Sequence, residues 1–313
     1  MTDSSRPGIA GARSQMLAVA AGLAVYGLAT YGYLGAAGRG LTAEDFAPLS
    51  VMWTLLNALG IGLFLPFEQE IARRTAVARA TGTANAPEVR RALLGAGGLL
   101  AGVAVIAAAA GRPLAQNLFA GSSALVALMV ASMAGMAASY VARGLLSGNG
   151  RFGRYGAQLA VDGLLRVAGA ATLAVAGNER PAAYGAVLVL SPLLAVGLTT
   201  PRVRLLLTSG PRPARVGAAA SLAALIVASV LSQALANAGT VIVQLLAGHD
   251  EAAAAGHFTA ALVVARIPLF AFAAVQAVLL PGLAGLVGAG DAAGLRARSV
   301  TVLTWTAGLG VLG

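Results

Sequence analysis

Between Ser14 and Thr200 the sequence repeats one unit six times: an apolar run of roughly the 20 residues that a helix needs to cross about 30 Å of hydrocarbon, then a short polar connection. The runs read as helices over Ser14–Gly38, Phe46–Ala72, Ala92–Ala110, Ser122–Ala142, Gly156–Ala176 and Ala182–Thr200. After the link TPRVRLLLTSGPRPARV come two longer runs, Gly217–Ala247 and about Ala253–Val287, and a short one over Ser299–Gly313. With 58% hydrophobic and 10% charged residues in 313, the chain lies far from soluble domains, in which about a quarter of residues are charged. The expected fold is an all-α, polytopic transmembrane bundle of about nine spans, with Gly and Ala permitting close helix approach.

The arginines test this layout. Connections on the N-terminal side of the membrane carry sixteen, including Arg73, Arg74, Arg90 and Arg91 after the second run and Arg143, Arg151 and Arg154 after the fourth. The opposite connections carry three, Arg39, Arg112 and Arg180, and collect Glu44, Asp45, Glu179, Asp250 and Glu251. The positive-inside rule therefore places the N-terminus in the cytoplasm and makes Arg143, Arg151 and Arg154 topology anchors. The net charge of +10 is spent in these short loops, so no nucleic-acid partner is expected. Arg6 and Arg13 before the first run imitate a signal peptide, but the run is longer than a usual signal core and is expected to be retained.

A repeat also emerges. LFLPFEQE around Pro66 and VLLPGLAG around Pro281 close corresponding runs, 215 residues apart, and Phe46 and Phe258 open them. The expected organisation is an N-terminal six-helix bundle over 1–200, a cytoplasmic linker over 201–216, and a partial second bundle of three spans over 217–313. A C-terminally incomplete transporter is the expectation; a complete nine-span protein is the alternative.

Two arginines, Arg166 and Arg266, fall inside apolar runs, where a charge must face protein or water rather than lipid. Asp162 stands four residues before Arg166, the favourable order for a same-face ion pair. That pair is either an internal salt bridge or a cavity site whose planar guanidinium meets a phosphate while Asp162 holds it or couples an ion. Arg266 has no acid one turn away and precedes Pro268, a kink position. Softer cavity candidates are Tyr31, with Tyr26, Thr30 and Tyr33, in the first helix and the stripe Gln233, Asn237, Thr240, Gln244 in the seventh; interhelical hydrogen bonding explains such a stripe equally well. Asn57 belongs to the same class. Glu68, Glu70, Arg73 and Arg74 end the second helix as a solvated ion-pair cluster or a gate.

The absence of cysteine removes disulfides, thiolate metal sites and cysteine nucleophiles. His249 and His257 beside Asp250 and Glu251 are too few to anticipate a metal site. No phosphate-binding glycine loop, nucleophile elbow, HExxH or dinucleotide fingerprint is present, so neither an enzyme nor a cofactor is expected.

The segments RGLLSGNGRFGRYGAQLAVDGLLRV, LPFEQEIARR and AGHFTAALVVARIPLFAFAAVQAVLLPGLA resemble the polysaccharide-exporter branch of the multidrug/oligosaccharidyl-lipid/polysaccharide (MOP) flippase superfamily. The resemblance implies two six-helix bundles around a central cavity that opens alternately to either side of the bacterial cytoplasmic membrane. It further implies an anionic lipid-linked oligosaccharide as cargo, with Arg166 and Arg266 receiving its diphosphate. Departure from the pattern lies in the incomplete second bundle. Membrane lipids and a coupling ion are the other expected partners. The alternatives are a cation-coupled multidrug exporter of the same superfamily, with Asp162 as coupling carboxylate, and a non-transporting membrane subunit of an envelope polysaccharide assembly system.

Overall fold

A computed structural model describes residues 9–200, 206–211, 222–235, 283–287 and 289–312. Every regular element among them is helical. In chain order these are α1 (Ile9–Gly40), α2 (Ala43–Thr81), α3 (Ala86–Ala109), α4 (Gly111–Leu118), α5 (Ser123–Gly148), α6 (Phe152–Val175), α7 (Pro181–Thr199), α8 (Leu222–Leu235) and α9 (Ala292–Leu312). α1, α2, α3, α5, α6 and α7 are long and apolar enough to cross a membrane, and this is a multi-pass membrane protein.

Within the first 200 residues α1 packs along α6, and α2 along α5; α7 crosses both α5 and α6, and α3 lies against α5. α5 is therefore the central helix. From Ser139 to Gly148 every residue of it is buried, leaving no lipid-facing side at that end.

Small residues set these crossings. A side chain on Gly156 of α6 would strike the Ala18 carbonyl of α1, and one on Gly22 would meet the Gly156 backbone. Gly144 and Gly148 form a Gly-x-x-x-Gly pair on α5. A Cβ there would stand 2.7 Å from the Glu68 carbonyl oxygen and 2.6 Å from the Thr75 Cβ of α2, respectively, inside any real contact.

Two helices outrun their apolar stretches. α2 has 39 residues, about 60 Å of helix against about 30 Å of hydrocarbon. It ends at Gly82, whose left-handed φ of 65° returns its backbone N–H to the Ala78 carbonyl. α5 continues six residues past Ala142. Hydropathy records contact with lipid, not helicity, so these extensions and the short amphipathic α4 escape it. In consequence Arg73, Arg74 and Arg79 lie within α2, Arg143 within α5 and Arg154 in the first turn of α6, which leaves only Asn149–Arg151 between the last two helices.

The segment leaving α7 is fastened to this same end. Thr208 and Asn85 bond reciprocally, the Asn85 N–H to Thr208 Oγ1 and the Thr208 N–H to Asn85 Oδ1, while Asn85 and Asn149 side chains both donate to the Leu206 carbonyl. α8 then passes α2, with Val230 and Gln233 beside Gly62.

Candidate functional site

Asp162 and Arg166 sit one turn apart near the middle of α6, and both are buried. Arg166 Nε donates to Asp162 Oδ1 and Nη2 to Oδ2, each at 3.0 Å, so the guanidinium meets the carboxylate as a two-pronged fork. The guanidinium carbon lies 5.0 Å from the centre of the Tyr26 ring of α1. The close α1–α6 crossing makes this stacking possible: a side chain on Gly163 would run into Ala29 and the Tyr26 backbone.

On its other side Arg166 borders a cavity of about 10 Å³ shared with Trp53, Asn57, Ser132, Met136 and Leu188. The space suits about one water molecule. Trp53 Nε1 and Ser132 Oγ are buried without a hydrogen-bond partner among the described residues, and Asn57 has turned its amide onto the Trp53 carbonyl. The pair is thus neutralised internally, with polar groups gathered on its open side.

A second buried pair links α2 to α5. Glu68 of α2 accepts from Arg143 Nε at 2.8 Å and from the Tyr155 hydroxyl at 2.7 Å. Arg143 also lies 4.2 Å over the Tyr140 ring. Two buried polar clusters therefore lie in the bundle: Glu68, Arg143, Tyr155 and Tyr140 toward the arginine-rich end, and Asp162, Arg166 and Tyr26 near the middle of α6.

Arg143 was expected among the topology anchors of a loop; its place inside α5 is a correction. The apolar run ends at Ala142 and the following Ser-Gly-Asn-Gly reads as loop, whereas the helix continues and buries the charge against Glu68. The available signal was the spacing of Tyr140 and Arg143, which places them on one helix face.

The four residues expected as one gate divide between two clusters. Glu68 and Glu70, two positions apart, point to different sides of α2. Glu70 accepts from Arg73 through two bonds of 2.9 Å and from Arg74. Arg74 reaches on to Glu88 of α3, which also accepts from Arg91 at 2.9 Å. Glu70, Arg73 and Arg74 thus clamp α2 to α3, and Glu68 ties α2 to α5 and α6.

Tyr31 is 44% exposed and is not brought to the pair. The stripe of α1 against α6 runs through Ala18, Gly22, Tyr26 and Ala29, and Tyr31 lies off it. Thr30 bonds the Tyr26 carbonyl, and Tyr33 is buried with its hydroxyl on the Tyr184 carbonyl of α7. Gln233 is half-buried on α8. Asn237, Thr240, Gln244 and Arg266 lie outside the described residues, as do His249, Asp250, Glu251 and His257. Among the described residues no group of three potential metal-ligating side chains occurs.

The sequence matches no protein-family model and no curated protein. Solved structures do match. A MATE transporter crystallised as a point variant superposes with a TM-score of 0.74 at 16% identity, over 100% of this chain and 74% of that one. An outward-facing multidrug resistance MATE family transporter of the MOP superfamily gives 0.72 at 16% identity, over 96% and 70%. A MOP superfamily transporter from Pyrococcus furiosus, described as having a binding pocket of reversed polarity that suggests a different function, gives 0.72 at 16% identity, over 96% and 70%. The fold is that of the MATE transporters. The polysaccharide-exporter branch anticipated from the sequence is a finer assignment, taken up below.

Proposed function

We propose that the chain is an alternating-access transporter driven by an ion gradient, and that its cargo is an anionic lipid-linked oligosaccharide or polysaccharide precursor. The observation that carries this is the Asp162–Arg166 fork, a complete ion pair held inside a MATE-type bundle. An internal pair of this kind is a poor source of stability, because desolvation offsets the mutual attraction. Its value lies in being exchangeable.

Protonation of Asp162 removes the carboxylate charge and frees two guanidinium donors, which match a phosphate in the same bidentate geometry. Loss of that proton restores the internal pair and expels the phosphate. Glu68, Arg143 and Tyr140 form a second buried polar cluster toward the arginine-rich end. Nothing in this cycle forms or breaks a covalent bond of the cargo, so the protein is proposed as a transporter and not an enzyme. By the arginine asymmetry, that end faces the cytoplasm of a bacterial cell.

Multidrug export is the second reading, favoured by the similarity to a multidrug resistance transporter. In that case Asp162 alone does the coupling, and Arg166 only holds it in place. The P. furiosus neighbour bears on the choice, since its described pocket polarity departs from its relatives on the same fold.

Proteoliposomes separate the two. With an imposed proton gradient, the protein should translocate a fluorescent undecaprenyl-diphosphate oligosaccharide, Arg166→Gln should abolish translocation, and neither should move ethidium. Ethidium transport retained in Arg166→Gln, without lipid translocation by the parent, would establish the drug exporter instead.

A further inference from the structure

A second cavity, of about 480 Å³, lies between α2, α3 and α8, away from the Asp162–Arg166 pair. Its volume is that of a site for a sizeable ligand. Phe67, Leu99, Leu222 and Ile226 give it apolar walls, and Gly95 lines the α3 side, where a Cβ would stand 3.1 Å from the Phe67 ring. One end is charged, formed by Glu70, Arg74, Glu88 and Arg91, with Arg73 adjoining on Glu70.

The ion-pair network at this end does not cancel: with Arg73, which bonds Glu70 from beside the lining, it holds three arginines and two glutamates. Arg74 is spent between both carboxylates. Arg73 and Arg91 each engage a single glutamate and remain 43% and 47% exposed, so both have donors left for a third partner. Along α3 the exposed side chains change from Arg90 and Arg91 to Leu93 and Leu94, which marks the boundary between headgroups and hydrocarbon at the mouth of the cavity. An apolar chamber that opens at this depth beneath a cationic rim matches an anionic head with an acyl chain below it.

We propose that this cavity binds an anionic glycerophospholipid from the surrounding membrane, its phosphate on Arg91 and Arg73 and an acyl chain against Phe67, Leu99 and Ile226. The lipid wedges between α2, α3 and α8, elements on either side of the 200–222 connection. This site does not depend on the identity of the transported cargo.

The test is native mass spectrometry of the purified full chain titrated with phosphatidylglycerol or phosphatidylcholine. The protein should retain phosphatidylglycerol preferentially. Arg91→Gln and Arg73→Gln should each lower that preference about fivefold, the factor corresponding to about 1 kcal/mol per basic residue at an anionic surface. Gly95→Leu, which fills the chamber, should reduce retention of both lipids. Arg91→Lys should restore most of the preference, and Arg90→Gln, outside the cavity, should leave it intact.

Equal retention of the two lipids overturns the proposal. So does a preference that survives the Arg91, Arg73 and Gly95 variants alike in protein that still elutes as a folded species, or one that Arg90→Gln weakens as much as Arg91→Gln, which would indicate diffuse surface charge. Displacement of phosphatidylglycerol by inorganic phosphate alone would mark a free-anion site and equally overturn it.

Discussion

Arg143 and Glu68 illustrate how strongly a single buried charge constrains this bundle. Each has lost its water and recovered one partner of opposite sign, so deleting either leaves the other stranded. Glu68→Gln or Arg143→Gln alone should cost about 3–5 kcal/mol, while the double substitution, which removes both charges, should recover much of that. Thermal unfolding in detergent reads the difference; additive losses would show that the two residues do not act as a pair. Asp162 and Arg166 obey the same logic, and their spacing made them legible from sequence as a same-face pair within an apolar run. The Arg143–Glu68 pair was not legible, because its members are 75 residues apart and one stands beyond the end of a hydropathic segment. Tyr31 was grouped with its neighbours by composition, yet a helix face admits Tyr26 and Thr30 and leaves Tyr31 outside it.

Helices meet here through glycine where the charges must meet. Gly144 and Gly148 bring α5 onto α2 closely enough for Arg143 to reach Glu68, and Gly156 and Gly163 bring α6 onto α1 beneath Tyr26. Gly144→Leu should therefore separate α2 from α5 and expose the Glu68 carboxylate, seen as loss of the monodisperse species and faster proteolysis within 66–81; an unchanged chromatographic profile and digestion pattern would contradict the packing described. Gly98→Leu, on an open face of α3, is the matched control and should be silent. Six membrane-crossing elements were readable because lipid contact imposes a long apolar run on each. Their true lengths were not, since α2 and α5 continue as helices among charges once the membrane ends. Asn85 fixes the exit from α7 in the same region. Asn85→Ala removes three side-chain hydrogen bonds, to Thr75, Leu206 and Thr208, and should make the 200–216 connection several-fold more sensitive to trypsin, with an unaltered cleavage rate counting against the latch.

At the scale of the molecule, a MATE-type fold holds two buried ion pairs, Asp162–Arg166 near the middle of α6 and Glu68–Arg143 toward the arginine-rich end, and under the proposed function the first is the site of exchange. Composition and loop charge announced the membrane protein, and the motif resemblance announced the superfamily whose fold was found. Cargo was not legible in that way: under the proposed function the discriminating feature is which partner Arg166 holds at each step, and neither hydropathy nor spacing records that. Under the proposed function, Asp162 and the cargo phosphate compete for one guanidinium. The most direct measurement is the affinity of the purified protein for an undecaprenyl-diphosphate lipid before and after Asp162→Asn. Freed from its carboxylate, Arg166 should bind the lipid about tenfold or more tightly, the gain expected from a released charge-assisted fork, and gradient-driven transport should stop. An affinity that is unchanged or weakened by Asp162→Asn would contradict the exchange.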